Sequence, residues 1–230
     1  YRFFKVTRYF SSWLVVNRRQ LCYKCPVPTA ARKEKLTRVL SRRQPDLRVV
    51  LEGVTIAHNA SAVARTCEAV GALNLHIISP DPDKVIFNEA ITTRAEKWLL
   101  IHFHHTTAEA LNLLRSQGLK IAVTTLSPQA LPYTELDYCQ PLALVFGNEA
   151  EGVSTEALSL SDYQIHIPMV GLVQSLNLSV SAAIILYEAF RQRQAHGWYE
   201  ERRLPEPEFE QLLKIWLAND RPRRPFSEKK

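Results

Sequence analysis

Residues Ile167 to Phe190 read I-P-M-V-G-L-V-Q-S-L-N-L-S-V-S-A-A-I-I-L-Y-E-A-F, a strand end, a polar loop and an amphipathic helix without a gap. Ala182, Ile185, Leu186 and Ala189 fall on one face at helical spacing. Ser175, Asn177 and Ser179 stand just before or within the first turn. The first N–H groups of a helix have no partners inside it, so a polar loop crowding them makes a natural small-molecule site. Taken alone, Ser175 and Asn177 read as capping residues.

Two upstream stretches give them company. In Leu47 to Gly71, L-R-V-V-L-E-G-V-T-I-A-H-N-A-S-A-V-A-R-T-C-E-A-V-G, the apolar, β-branched run Leu47 to Val54 predicts a buried strand, and Asn59 to Val70 predicts a helix stopped by Gly71. Val63, Thr66, Cys67 and Val70 form the expected buried stripe. Arg65 points away from it and is either a solvated arginine or a side chain aimed across a cleft. In Pro141 to Ser154, P-L-A-L-V-F-G-N-E-A-E-G-V-S, an apolar strand enters an acidic turn bracketed by Gly147 and Gly152, and Ser154 is placed to cap the next helix.

Strands are expected at Arg48 to Val54, Leu75 to Ile78, Trp98 to Phe103, Lys120 to Thr124, Leu142 to Phe146 and Gln164 to Ile167, with helices between them, including Thr107 to Gln117. Alternation at this pitch predicts an α/β fold, a mostly parallel sheet with helices on both faces. No G-x-G-x-x-G occurs among only seven glycines, which argues against a Rossmann-type cofactor site.

The three stretches, in this order, resemble the signature motifs of the SpoU branch of the SPOUT RNA methyltransferases, carried by H-N-A-S-A-V-A-R-T, F-G-N-E-A-E-G and I-P-M-V-G-L-V-Q-S-L-N-L-S. Within that branch the resemblance is to the members that methylate guanosine-18 of the tRNA D loop, and it runs from the helix containing Leu36 and Leu40 to Arg193. It implies a deep C-terminal trefoil knot, a rare exception to the rule against threaded chains. It also implies S-adenosylmethionine as cofactor, held by Thr124, Leu126, Gly147, Ile167, Met169 and Leu176, largely through backbone groups. The same carry-over makes Arg65 the catalytic arginine, with Asn59, Glu149, Ser175 and Asn177 around ribose and cofactor. Its partners are tRNA and a second copy of the chain in a homodimer, not DNA or a membrane, and its compartment is the cytoplasm. Relatives often carry a small Gly-Ser turn where this chain has Thr93 and Arg94.

Composition bounds the rest. With 230 residues, 46% of them hydrophobic, the chain suits one main domain, and no apolar run approaches the ~20 residues a bilayer span needs. The expected division is a basic extension (1–33), a knotted methyltransferase domain (34–197), and a C-terminal helix with a basic tail (198–230). The net charge of +6 suggests a polyanionic partner, but residues 1–33 hold eight Lys or Arg and no acid, leaving 21 basic against 23 acidic residues elsewhere. RNA contact then falls to local patches, with Arg38, Arg42, Arg43, Arg48 and the tail as candidates. The composition of the first thirty or so residues resembles a transit peptide, although their aromatic content suits translation upstream of a later start. Activity is expected to survive deletion of residues 1–29. The four cysteines make no disulfide framework, C-Y-K-C at Cys22 and Cys25 lacks a second half at zinc spacing, and Cys67 and Cys139 are expected in the core. No metal is expected. Phe209, Leu212, Leu213, Trp216 and Leu217 predict a last amphipathic helix that packs on the body.

Overall fold

The computed structural model describes residues 29–54, 57–81, 87–148 and 150–220. The expectations for the N-terminal extension, Cys22, Cys25, Glu149 and the residues 221–230 lie outside these.

The strand expected at Arg48 to Val54 is β1, Gln44–Glu52, the helix expected at Asn59 to Val70 is α2, Ala57–Val70, and a helix α1, Ala30–Ser41, precedes both. Thr29 caps α1 by accepting the Arg32 N–H. Strands β2 (Ala72–Ile78), β3 (Leu100–His104), β4 (Lys120–Thr124), β5 (Leu131–Pro132), β6 (Leu142–Phe146) and β7 (Tyr163–His166) follow. Between and after them lie α3 (Glu89–Thr92), α4 (Thr107–Ser116), α5 (Thr155–Ser159), α6 (Leu178–Ala195) and α7 (Glu206–Asn219). The strands form a single parallel sheet in the order β3-β2-β1-β6-β4-β7-β5. β2 and β6 are buried at every position, as strands covered on both faces must be.

Alternation within the strands sorts side chains to two cores. Val49, Leu51, Leu75, Ile77, Leu144 and Phe146 meet α2 and α6, whereas Val50, Val123, Ala143 and Val145 meet α4 and α5. α2 lies against α6, so the first and last of the quoted stretches are neighbours. As expected, α7 packs on the body: Phe209, Leu212 and Trp216 join Leu36 and Leu40 of α1 in a third cluster.

Four readings change. The Trp98 to Phe103 strand begins later, because Ala95–Trp98 forms a 3-10 turn that sets the Trp98 ring edge-on to Trp216 at 5.3 Å. Thr66 is only half-buried and its hydroxyl donates back to the Ala62 carbonyl. Cys139 is half-buried beside His196, with Sγ to Nδ1 at 3.4 Å, while Cys67 is fully buried and its thiol is pushed up to about 12. Arg43, offered as an RNA contact, is buried: it donates to the Glu68 carbonyl and carboxylate and lies over the Trp216 ring. Arg38 and Arg42 are exposed.

The stretch R-R-Q-P-D-L, Arg42 to Leu47, takes part in a structural clasp. Arg193, fully buried in the last turn of α6, donates to Asp46 (2.7 Å), Gln44 (3.2 Å) and the carbonyls of Tyr138 and Gln140. Asp46 also accepts from Arg203. Arg193 and Arg203 each lie over the Trp198 ring. The C-terminal end of α6 is thereby locked to the start of β1, and a rigid α6 fixes its own N-terminus, where the polar loop arrives.

Thr93 (φ 50°) and Arg94 (φ 70°) are both left-handed, so the chain keeps a backbone that suits glycine. For a β-branched residue that conformation costs roughly 1–2 kcal/mol. Thr93→Gly is therefore expected to raise stability by up to about 1 kcal/mol, a Tm gain of roughly 2–4 °C by calorimetry, after the extra unfolded-state freedom of glycine is discounted.

His76, His102 and His104 share one face of β2 and β3. The His76 and His102 rings stack at 4.4 Å, and His76 Nδ1 meets His104 Nε2 at 2.9 Å. Burial holds all three below the usual imidazole range, His102 at about 4; Arg48 and the neighbouring histidines add to this at His76 and His102, while at His104 Glu109 partly offsets it and His105 adds to it. The unfolded chain takes up these protons near pH 6.5 and the folded chain only at lower pH. Stability is therefore complete above about pH 6.5 and falls on acidification toward pH 4, by up to about 1.4 kcal/mol per pH unit for each histidine. Urea midpoints that stay level between pH 7 and pH 5 would contradict this.

Candidate active site

Three loops at the C-terminal ends of adjacent strands enclose one cavity of about 510 Å³. The loop after β4 brings Thr124 and Leu126, the loop after β6 brings Gly147, and the loop after β7 brings Ile167, Met169, Ser175 and Leu176. Edges of a parallel sheet at strand C-termini are where open α/β folds place ligands. All six residues expected around a cofactor line this space, and so does Ser175.

The middle loop is folded back on itself. Asn148 and Gly152 exchange two backbone hydrogen bonds (3.1 and 3.0 Å), and Asn148 Oδ1 accepts from the N–H groups of Ala150 and Glu151. Gly152 has φ +72°, which suits its lack of a side chain. Gly147 is needed for a different reason: a Cβ there would stand 2.0 Å from the Gly152 carbonyl carbon and oxygen.

Asn177 caps α6, with Oδ1 accepting from the Ser179 N–H (2.9 Å) and hydroxyl (2.6 Å). Its Nδ2 donates to Asn59 Oδ1 at 3.4 Å. The capping reading is thus correct and incomplete: the amide faces both the helix and the buried Asn59 of α2. Arg65 sits on the exposed side of α2 and is not among the residues lining the cavity. Glu149 lies outside the described residues.

Phe146, Ile165, Leu178 and Ile185 form the apolar floor. In the sequence they are indistinguishable from core, since a buried strand end and a helix stripe look alike whether they face a cavity or another side chain. His166 also lines the space, its Nδ1 held by the Ala130 carbonyl at 3.0 Å. Its only sequence signal was adjacency to Ile167. A second lobe of about 440 Å³ opens from the same loops, around Ser127, Pro128 and Pro168.

A parallel sheet whose β4, β6 and β7 loops close over one apolar, backbone-lined cavity defines a nucleotide-cofactor α/β protein without a glycine-rich fingerprint. The profile of the SpoU rRNA methylase family matches residues 46–187, and the chain belongs to that family. It is 45% identical over 189 residues to the tRNA (guanosine(18)-2'-O)-methyltransferase of Thermus thermophilus, spanning 82% of this chain and 97% of that enzyme. The crystal structure of the TrmH/SpoU tRNA-modifying enzyme of A. aeolicus superposes with a TM-score of 0.78 at 42% identity, over 81% of this chain and 95% of that one. The SpoU methyltransferase AviRb from Streptomyces viridochromogenes, solved in complex with the cofactor AdoMet, gives 0.59 at 25% identity, over 74% and 66%.

Among the described residues no helix is long and apolar enough to cross a membrane.

Proposed function

We propose that this chain methylates the ribose 2'-hydroxyl of guanosine-18 in the tRNA D loop, using S-adenosylmethionine. The observation that carries this reading is the convergence of Thr124, Leu126, Gly147, Ile167, Met169 and Leu176 on one cavity with Ser175; Asn177, which contacts Asn59, stands in the chain between the lining residues Leu176 and Leu178 without itself lining the space. The names of the relatives supply the chemistry and the position.

The cavity fits the cofactor: its volume is within the usual range for small-molecule sites, its floor is apolar, and its walls are the three loops. When bound, S-adenosylmethionine supplies a methyl group on a positively charged sulfur. The apolar floor from Phe146, Ile165 and Ile185 would shelter the cofactor's aromatic base from water, and the loops carrying Leu126, Ile167 and Leu176 would hold it through their peptide groups. Asn59, Ser175 and Asn177 orient the ribose hydroxyl for in-line transfer, which lowers the barrier by positioning. Glu149 belongs to this set on the family resemblance alone. Arg65 acts as an electrostatic clamp on the ribose oxygen while the hydroxyl proton passes to solvent water; a guanidinium has five donors, no acceptor, and a pKa above about 12, so it is a poor base.

The chain acts as a homodimer in this reading. Val180 and Tyr187 are exposed on α6 with the half-buried Ile184 between them, at i, i+4, i+7 spacing, and Val170, Leu172 and Val173 are exposed in the adjoining loop. Such a stripe wants cover. A second copy seated there supplies Arg65 in trans, which explains why Arg65 does not line the cavity of its own chain. Mixing Arg65→Ala with Asn177→Ala, each inactive alone, should then restore roughly a quarter of wild-type activity through mixed dimers of a symmetric pair. Arg65 acting in cis restores none.

A knotted path is supported by the strand order: the chain leaves β4, passes β7 to form β5, returns across β4 to β6, then crosses β4 again to β7. Residues 34–197 make up the methyltransferase unit and α7 braces it. The cytoplasm is the proposed compartment.

The deciding experiment incubates the purified protein with methyl-labelled S-adenosylmethionine and bulk tRNA, then maps the methylated ribose. Label at guanosine-18 is expected. Label at another tRNA position, or in ribosomal RNA alone, replaces the substrate, and cofactor binding without transfer to any RNA marks a catalytically silent RNA-binding relative.

A further inference from the structure

Glu52, the last residue of β1, is buried, and three donors converge on its carboxylate. Oε1 accepts from the Thr107 hydroxyl and from the Ser154 hydroxyl (2.6 Å), and Oε2 accepts from the Ser154 N–H (2.8 Å). Thr107 opens α4 on one side, and Ser154 follows the cavity loop on the other. The Ser154 hydroxyl also accepts from the Ala157 N–H at 3.0 Å, capping α5, so one side chain joins the loop, the helix and the central strand.

The loop between Gly147 and Ser154 is closed internally by the Asn148–Gly152 pair and the Asn148 side chain, and so moves as a unit. Besides Val153, which packs on the core, the described residues give it two attachments to the body. One is its covalent continuation from β6; the other is Ser154, and Ser154 is held by Glu52. Bonds to a charged acceptor are about twice as strong as neutral ones, so the second attachment is firm only while the carboxylate is present. Gly53 brings the same strand end close to the loop: a Cβ there would lie 3.4 Å from Asn148 Nδ2.

We propose that Glu52 is the positioning residue for the 147–153 wall of the cavity, setting cofactor affinity through Ser154 without touching the cofactor. This rests on the cavity being the S-adenosylmethionine site. Thr107 is the internal control, because it binds the same carboxylate from the side away from the loop.

The test compares Glu52→Ala, Ser154→Ala and Thr107→Val with wild type. Glu52→Ala and Ser154→Ala are each expected to raise the Kd for S-adenosylmethionine about tenfold or more, the loss of one or two charge-assisted bonds. At saturating cofactor their kcat stays within about threefold of wild type, since the reacting groups remain. Amide hydrogen exchange in peptides spanning 147–153 accelerates in both, with no ligand needed. Thr107→Val leaves Kd and exchange as in wild type. Unchanged exchange in folded Glu52→Ala or Ser154→Ala overturns the proposal, as does Thr107→Val matching Ser154→Ala, which marks general packing. If Glu52→Ala does not fold, Ser154→Ala against Thr107→Val carries the same comparison. Wild-type protein that fails to bind S-adenosylmethionine defeats the reading of the cavity, while the exchange data still decide the role of Glu52.

Discussion

Arg65→Lys is expected to lower methyl transfer by about 10³-fold, the size seen when one donor to a developing oxyanion is lost. The Kd for S-adenosylmethionine should stay within about twofold, because the proposed contact of Arg65 is with the ribose oxygen of the RNA and not with the cofactor. Lysine keeps the charge and loses the planar fork, so the substitution separates geometry from net charge. Single-turnover transfer to tRNA with saturating cofactor, beside calorimetric cofactor titration, reads the two effects apart. Retained turnover removes Arg65 from the catalytic set. Equal loss of turnover and cofactor affinity instead makes it part of the binding wall.

Gly147→Ala should weaken cofactor binding by about a hundredfold. The added methyl would stand 2.0 Å from the Gly152 carbonyl and 2.2 Å from the Val153 nitrogen, and both are backbone atoms with no rotamer to yield. The loop must open, which forfeits the two Asn148–Gly152 hydrogen bonds and some packing, a few kcal/mol in all; each 1.4 kcal/mol is about tenfold in affinity. Thermal unfolding with and without S-adenosylmethionine gives the check: the ligand-induced shift in Tm disappears in the variant while the unliganded Tm falls only modestly. A full ligand-induced shift would show that the loop tolerates the methyl group and that the glycine matters less than its contact distance implies.

Gly147 illustrates where sequence reading stopped. It was named as a position of special backbone freedom, yet its φ lies outside the left-handed region, and the constraint is the return of Gly152 across its face. Arg43 makes the converse case, and Arg193, which entered only as the end of the family match, shares its chemistry. Basic residues near a basic helix read as an RNA surface, but a buried guanidinium is stable where carbonyls and a carboxylate meet it, and those partners are distant in the chain: Glu68 for Arg43, and Asp46 with Tyr138 and Gln140 for Arg193. Glu52 went unnoticed because a single acid at a strand end carries no local pattern.

Residue patterning is local, and it was sufficient for the elements: the unbroken apolar run of Leu142–Phe146, the helical stripe of Ala182, Ile185, Leu186 and Ala189, and the capping serine at 154 all stand where the residue order put them. The motif order likewise carried the family. Which side chains share a cavity, which arginine is buried, and which carboxylate holds a loop were decided only in the folded chain. These depend on contacts between residues tens to hundreds of positions apart, and a hydrogen bond or a steric clash is set by separation in space, which no local pattern of residue types encodes.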